Sequence, residues 1–145
     1  MKGVDLTPLR RIPVANGDIL HVMRASDEGF AGFGEAYVSM VHNGREKGWT
    51  KHRKMVLNFV VLHGAVRFLI RDEADPRECR SVELSAGEPE KYRRLTVQPG
   101  LWVAFQGLAD PTSIVLNIAS IAHDPVESDK LPIDAFLTAC SSVLR

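Results

Sequence analysis

The chain is poor in cysteine, and the two it has, Cys79 and Cys140, lie far apart in sequence. Their spacing fits neither a zinc knuckle nor a dithiol redox motif. The opening stretch "MKGVDLTPLRRIPVANGD" has no apolar core of a secretory leader. Both cysteines are therefore expected as free thiols in a reducing, cytoplasmic setting. Net charge is lacking as well, since 18 Lys and Arg balance 18 Asp and Glu. Dedicated nucleic-acid binders are usually basic, so no nucleic-acid partner is expected. A local cationic pocket stays open, because net charge says nothing about distribution. No stretch approaches the roughly 18 uncharged apolar residues of a membrane span, so no membrane partner is expected. The five His never fall at the H-x-H or H-x-x-x-H spacing that presents two ligands together. A metal site is therefore not expected. There is no G-x-S-x-G elbow, no Gly-rich phosphate loop and no Cys next to a His.

What is there is a series of short apolar runs punctuated by turn residues. Asn16-Gly17, Asn43-Gly44, His63-Gly64 and Pro99-Gly100 each separate two strand-like runs. "CRSVELS" and "TSIVLNIASIA" read as further strands, and "RDEADPREC" and "AGEPEKYRR" as loops. Long helices do not alternate with these runs, so the fold class is all-β, a sandwich or barrel in one domain over 1–145. Residues 56–62 are apolar on both faces where a half-exposed strand should alternate, which predicts burial on both sides. A small barrel achieves that by packing a second sheet or a second copy against it. At the end of the chain, Phe136, Ala139, Cys140, Val143 and Leu144 fall at helical spacing behind Asp134 as N-cap. A short C-terminal amphipathic helix is predicted, packed on the barrel or on a partner.

The densest cationic feature is "KGWTKHRK" at 47–54, ahead of the apolar strand. In extended geometry Thr50, His52 and Lys54 point one way, and Trp49, Lys51 and Arg53 the other. On a face looking into the barrel, His52 is a base near neutral pH, and nearby cations suit a diphosphate or a developing enolate oxygen. The same strip also reads as a solvated strand end. His21, His42 and His63 read as structural or turn residues; His123, after a strand in "IAHDP", is a further polar candidate.

The stretches "FGEAYVSMVHNGREKGWTKH", "FVVLHGAVRFLIRDE", "VQPGLWVAFQGL" and "IAHDPVESDKLP" carry a resemblance that spans nearly the whole chain. The sequence resembles the cupin family typified by dTDP-4-dehydrorhamnose 3,5-epimerase, in particular its small single-domain relatives. The resemblance implies a double-stranded β-helix, or cupin jelly roll, and a homodimer. It implies cofactor-independent isomerisation beside the ketone of a nucleotide-linked 4-keto-6-deoxy sugar. Carried across, the base falls on His52. Lys47, Lys51, Arg53 and Lys54 stand at phosphate and enolate contacts, with Lys54 or Lys51 the enolate candidate. Glu35 and Tyr37 match a pocket-side "GE-x-Y" strand, and Asp72 the Asp that ends the strand after the Gly turn.

This chain also departs from the family. Thr50 stands where small relatives have the His of W-x-H, and Val103 stands where a pocket-facing His is usual. The family's proton-donating Tyr has no clear counterpart, and His123 is the nearest polar residue. Two readings stay open: a nucleotide-sugar isomerase working from one retained base, or a non-catalytic cupin that binds a nucleotide sugar or a related anion.

Overall fold

The computed structural model describes residues 1–75, 77–136 and 140. Among the described residues twelve strands run in chain order: β1 (Val4–Pro8), β2 (Arg11–Ile12), β3 (Ile19–Leu20), β4 (Glu35–His42), β5 (Glu46–His52), β6 (Leu57–His63), β7 (Ala65–Asp72), β8 (Cys79–Ser85), β9 (Arg93–Val97), β10 (Leu101–Gly107), β11 (Thr112–Ala119) and β12 (Ser128–Leu131). Ten of them form two five-stranded antiparallel sheets, β1-β9-β6-β11-β4 and β12-β5-β10-β7-β8, and β2 and β3 pair separately as a hairpin. This is the jelly-roll architecture expected from the sequence.

Turn signals marked the right places, with a difference in what they join. Of the four, only the turn region holding Asn16-Gly17 closes a hairpin, β2–β3. Asn43-Gly44, His63-Gly64 and Pro99-Gly100 each carry the chain from one sheet to the facing one. Gly64 shows why such a corner needs glycine. Its φ is +74°, and a Cβ there would come within 2.7 Å of Ser113 Oγ.

Alternate residues of both sheets point inward. Val41, Phe59, Val61, Phe68, Ile70, Leu95 and Val115 interdigitate in the space between the sheets. β6 is buried on both faces from Leu57 to Val61, as its apolar run predicted; Leu62, at 42% exposure, is not. A second apolar cluster lies on the outside of the sheet that carries β5. There Trp49, Leu69, Trp102 and Ala104 pack under Ile133, Phe136 and Cys140.

Two expectations for the end of the chain need correction or restriction. Of the predicted helix, the described residues show a 3-10 turn, Ile133–Phe136, with Asp134 inside its first turn rather than capping it, and Cys140 in helical conformation. Ala139, Val143 and Leu144 lie outside the described residues. The cysteines are not free: Cys79 and Cys140 form a disulfide across a sequence separation of 61. Sequence spacing could not reveal this, because only the fold brings their Cα atoms to 5.4 Å. Among the described residues no helix is long and apolar enough to cross a membrane.

Candidate active site

β5 fixes the site. It is flanked by β10 and β12, so its residues are held in register from both sides, with Thr50 opposite Val103 and Lys130 and His52 opposite Ser128. Gly48, Thr50 and His52 face inward onto a cavity of about 90 Å³ between the two sheets. From the facing sheet, β4 contributes Tyr37 and Ser39. Leu57, Phe59, Val103 and Phe105 make the remaining walls apolar.

The His52 ring is held from behind. Its Nδ1 lies 2.6 Å from Glu127 Oε2, while Glu127 Oε1 accepts the backbone N–H of Lys54 at 2.6 Å and of Met55 at 2.9 Å. Glu127 is buried, at 6% exposure. Burial pushes its carboxyl up, but the His52 hydrogen bond and the two amides outweigh that and bring it down to about 2. An ionised carboxylate only accepts hydrogen bonds. The imidazole hydrogen therefore sits on Nδ1, and the Nε2 lone pair is left free to take a proton. Tyr37 is similarly oriented: its hydroxyl oxygen accepts from Asn117 Nδ2 at 3.0 Å, which leaves its own proton available to donate.

The residues singled out in the sequence separate into groups. Tyr37, Thr50 and His52 meet in the cavity. Glu35, half-buried at the start of β4, shares the inward parity of Tyr37. Lys51 and Arg53 lie away from the cavity, on the outer side. Lys51 Nζ pairs with Glu73 at 2.8 Å and lies 4.8 Å from the Trp102 ring centroid, and Arg53 pairs with Asp129. Glu73 is held below its ordinary value by Lys51 first and then by the Trp102 indole, which donates to it at 2.5 Å. Neither cation therefore faces a ligand in the cavity. Lys47 and Lys54 are exposed at the two ends of β5; among the described residues neither has an ion pair, and neither lines the cavity. His123 is exposed in the loop before β12, also outside the cavity lining. Asp72 ends β7, caps the Ala74 amide at 2.9 Å and lines a separate open groove with Pro99 and Gly100. Among the described residues no three His, Cys, Asp or Glu side chains cluster as metal ligands.

Glu127 was missed in the sequence, as were Ser39 and Asn117. Glu127 stands 75 residues beyond His52, in a loop with several acids, and no local pattern distinguishes it from Asp124 or Asp129. The signal that sets it apart is burial, which is a property of the fold.

No protein-family model matches the chain. No curated protein matches it either. Solved structures do. A dTDP sugar isomerase from Desulfovibrio desulfuricans G20 is 34% identical, with a TM-score of 0.83, over 92% of this chain and 87% of that one. The sugar 3,4-ketoisomerase QdtA from Thermoanaerobacterium thermosaccharolyticum, in complex with TDP, is 18% identical with a TM-score of 0.77, over 100% of this chain and 99% of that one. NovW, a 4-keto-6-deoxy sugar epimerase from the novobiocin biosynthetic gene cluster of Streptomyces spheroides, is 15% identical with a TM-score of 0.78, over 90% and 69%. The last two likenesses speak to the fold alone.

Proposed function

The chain belongs to the cupin family of dTDP-sugar isomerases and epimerases, and from that membership we propose that it isomerises a dTDP-linked 4-keto-6-deoxy sugar in deoxysugar biosynthesis, using His52 as its base. The observation that supports this most is the His52–Glu127 pair at 2.6 Å, with the pair's open nitrogen beside the cavity. His52 Nε2 removes the proton from a carbon next to the ketone. The ring becomes imidazolium, and the buried Glu127 carboxylate compensates its charge. As negative charge moves to the ketone oxygen, the Tyr37 and Thr50 hydroxyls are the donors in the cavity that can meet it.

Tyr37 reaches the cavity from the sheet opposite β5, so a pyranose between the sheets has His52 on one side and Tyr37 on the other. That assigns Tyr37 the proton-donor role for which the sequence offered only His123. The exposed Lys47 and Lys54, rather than Lys51 and Arg53, are the cations of the strip left for the diphosphate. The reaction we assign is proton transfer at a single carbon, because Thr50 and Val103 leave His52 as the one imidazole among the described residues of the cavity wall.

We also assign a homodimer. The outer face of β4 is apolar and uncovered, with Val38 55% and Met40 56% exposed, and a second copy is the partner the family resemblance implies.

The test is deuterium wash-in. The protein is incubated in D₂O with dTDP-4-keto-6-deoxyglucose and the ring protons are tracked by NMR. Exchange at one carbon beside the ketone is expected. Tight binding with no exchange above background, for this and related nucleotide sugars, overturns the isomerase and favours the non-catalytic binder.

A further inference from the structure

We propose that β12 and the Ile133–Phe136 turn form a strap, locked by the Cys79–Cys140 disulfide, that positions Glu127 against His52. Glu127 leads directly into β12, an edge strand of four residues whose strand partner is β5. Beyond it, the described residues lie against the outside of the sheet. At β5, Trp49 Nε1 donates to Ile133 O at 3.1 Å, and the Phe136 ring stands edge-on to Trp49 at 5.1 Å. At β10, the same ring meets Trp102 at 5.8 Å. At β7, the Arg71 guanidinium lies 4.1 Å from its centroid. Cys140, buried, is then bonded to Cys79, the first residue of β8 and the opposite edge of the sheet. The described contacts of Ile133, Phe136 and Cys140 thus fall on β5, β10, β7 and β8 in turn, with β12 paired at one edge of the sheet and Cys140 bonded at the other.

The disulfide is the far anchor. A four-residue edge strand belongs to the least stable part of a fold, the part that opens locally before the core does. With the far end fixed, β12 cannot peel from β5 without also lifting Phe136 from the two tryptophans. With the far end released, it is held at one end, and Glu127 is the first group beyond it. Release is a thiol–disulfide exchange. A dithiol delivers two electrons and two protons, the Cys79–Cys140 bond breaks to two thiols, and the dithiol closes to its own disulfide. Cys79 is half-buried rather than enclosed, so the bond is reachable from that side. In a reducing compartment such bonds are as a rule transient or sensing, and here the sensed state is coupled to the orientation of the base.

The strap's catalytic role rests on His52 being the base, but its first readout needs no substrate. Amide hydrogen exchange is compared in the oxidised full-length protein and after dithiothreitol reduction. The Lys54 and Met55 amides, which donate to Glu127, are expected to exchange at least about tenfold faster on reduction, with the Val60 and Val61 amides of β6 unchanged. Phe136→Ala with the disulfide intact is expected to speed the same two amides about two- to fivefold. Turnover by the reduced enzyme should fall towards that of Glu127→Gln and return on reoxidation. Unchanged Lys54 and Met55 amides overturn the proposal. So does equal acceleration at Val60 and Val61, which makes the disulfide a global staple. Responsive amides in a protein that exchanges no nucleotide sugar leave the strap standing and overturn the isomerase.

Discussion

Replacing Glu127 with Gln removes one charge and almost no volume, so its effects trace to the hydrogen bonds that the side chain makes. Glu127 accepts three of them, two at Oε1 from amides and one at Oε2 from His52. A Gln oxygen can serve the two amides, which turns its NH₂ towards His52 Nδ1. Two donors then face each other, and the relief is for the imidazole to move its hydrogen to Nε2. That nitrogen can no longer take a proton, so turnover is expected to fall about 10²–10⁴-fold, the range of a positioned general base. Stability changes too. Bringing the carboxyl from 4.5 to about 2 represents roughly 3 kcal/mol in favour of the ionised form. The folded-state value lies below the unfolded one, so this stabilisation is complete above about pH 5 and is lost as pH falls towards 2. Glu127→Gln lacks it at every pH, which lowers the neutral melting temperature by up to about 6–12 °C. The assays are deuterium exchange at neutral pH and thermal melts from about pH 7 to about pH 2.5. A variant that turns over within about threefold of the parent, or that melts with the parent's acid dependence, refutes the reasoning.

Tyr37→Phe is expected to lower turnover about 10²-fold or more while nucleotide-sugar affinity by calorimetry stays within about threefold, because the hydroxyl acts on the developing charge. Lys51→Ala and Arg53→Ala should each leave KM within about threefold, since their partners are Glu73 and Asp129 on the outer side; the double variant Lys47→Ala/Lys54→Ala should raise KM about tenfold or more. Met40→Glu puts a charge on the exposed face of β4 and should shift sedimentation from dimer to monomer without loss of fold, by circular dichroism. A wild-type protein that sediments as a monomer at micromolar concentration contradicts the assigned dimer.

The sequence made β5 legible because alternation is a local rule. Thr50 and His52 do share a face, and Lys51 lies on the other. Lys54 was expected with His52, but the strand ends at His52, and the period-two rule stops with the strand. Burial of β6 on both faces was likewise readable from its apolar run, as far as Val61. Features set by distant chain were not readable. Glu127 becomes His52's partner only because β12 pairs with β5, and the cysteines meet only because Cys140 packs on the outside of the sheet that β8 edges. The glycine turns misled in one respect. A left-handed glycine such as Gly44 or Gly64 serves a sheet-to-sheet corner as well as a hairpin.

The most direct test of the central claim is a crystal structure of His52→Asn with a dTDP-linked 4-keto-6-deoxy sugar bound. The pyranose is expected between β4 and β5, with the carbon beside the ketone about 3–3.5 Å from the side chain at position 52 and the Tyr37 hydroxyl on the opposite side of the ring. A sugar seated in another groove, such as the one lined by Leu9, His21 and Arg94, or turned so that no carbon beside the ketone approaches position 52, contradicts it.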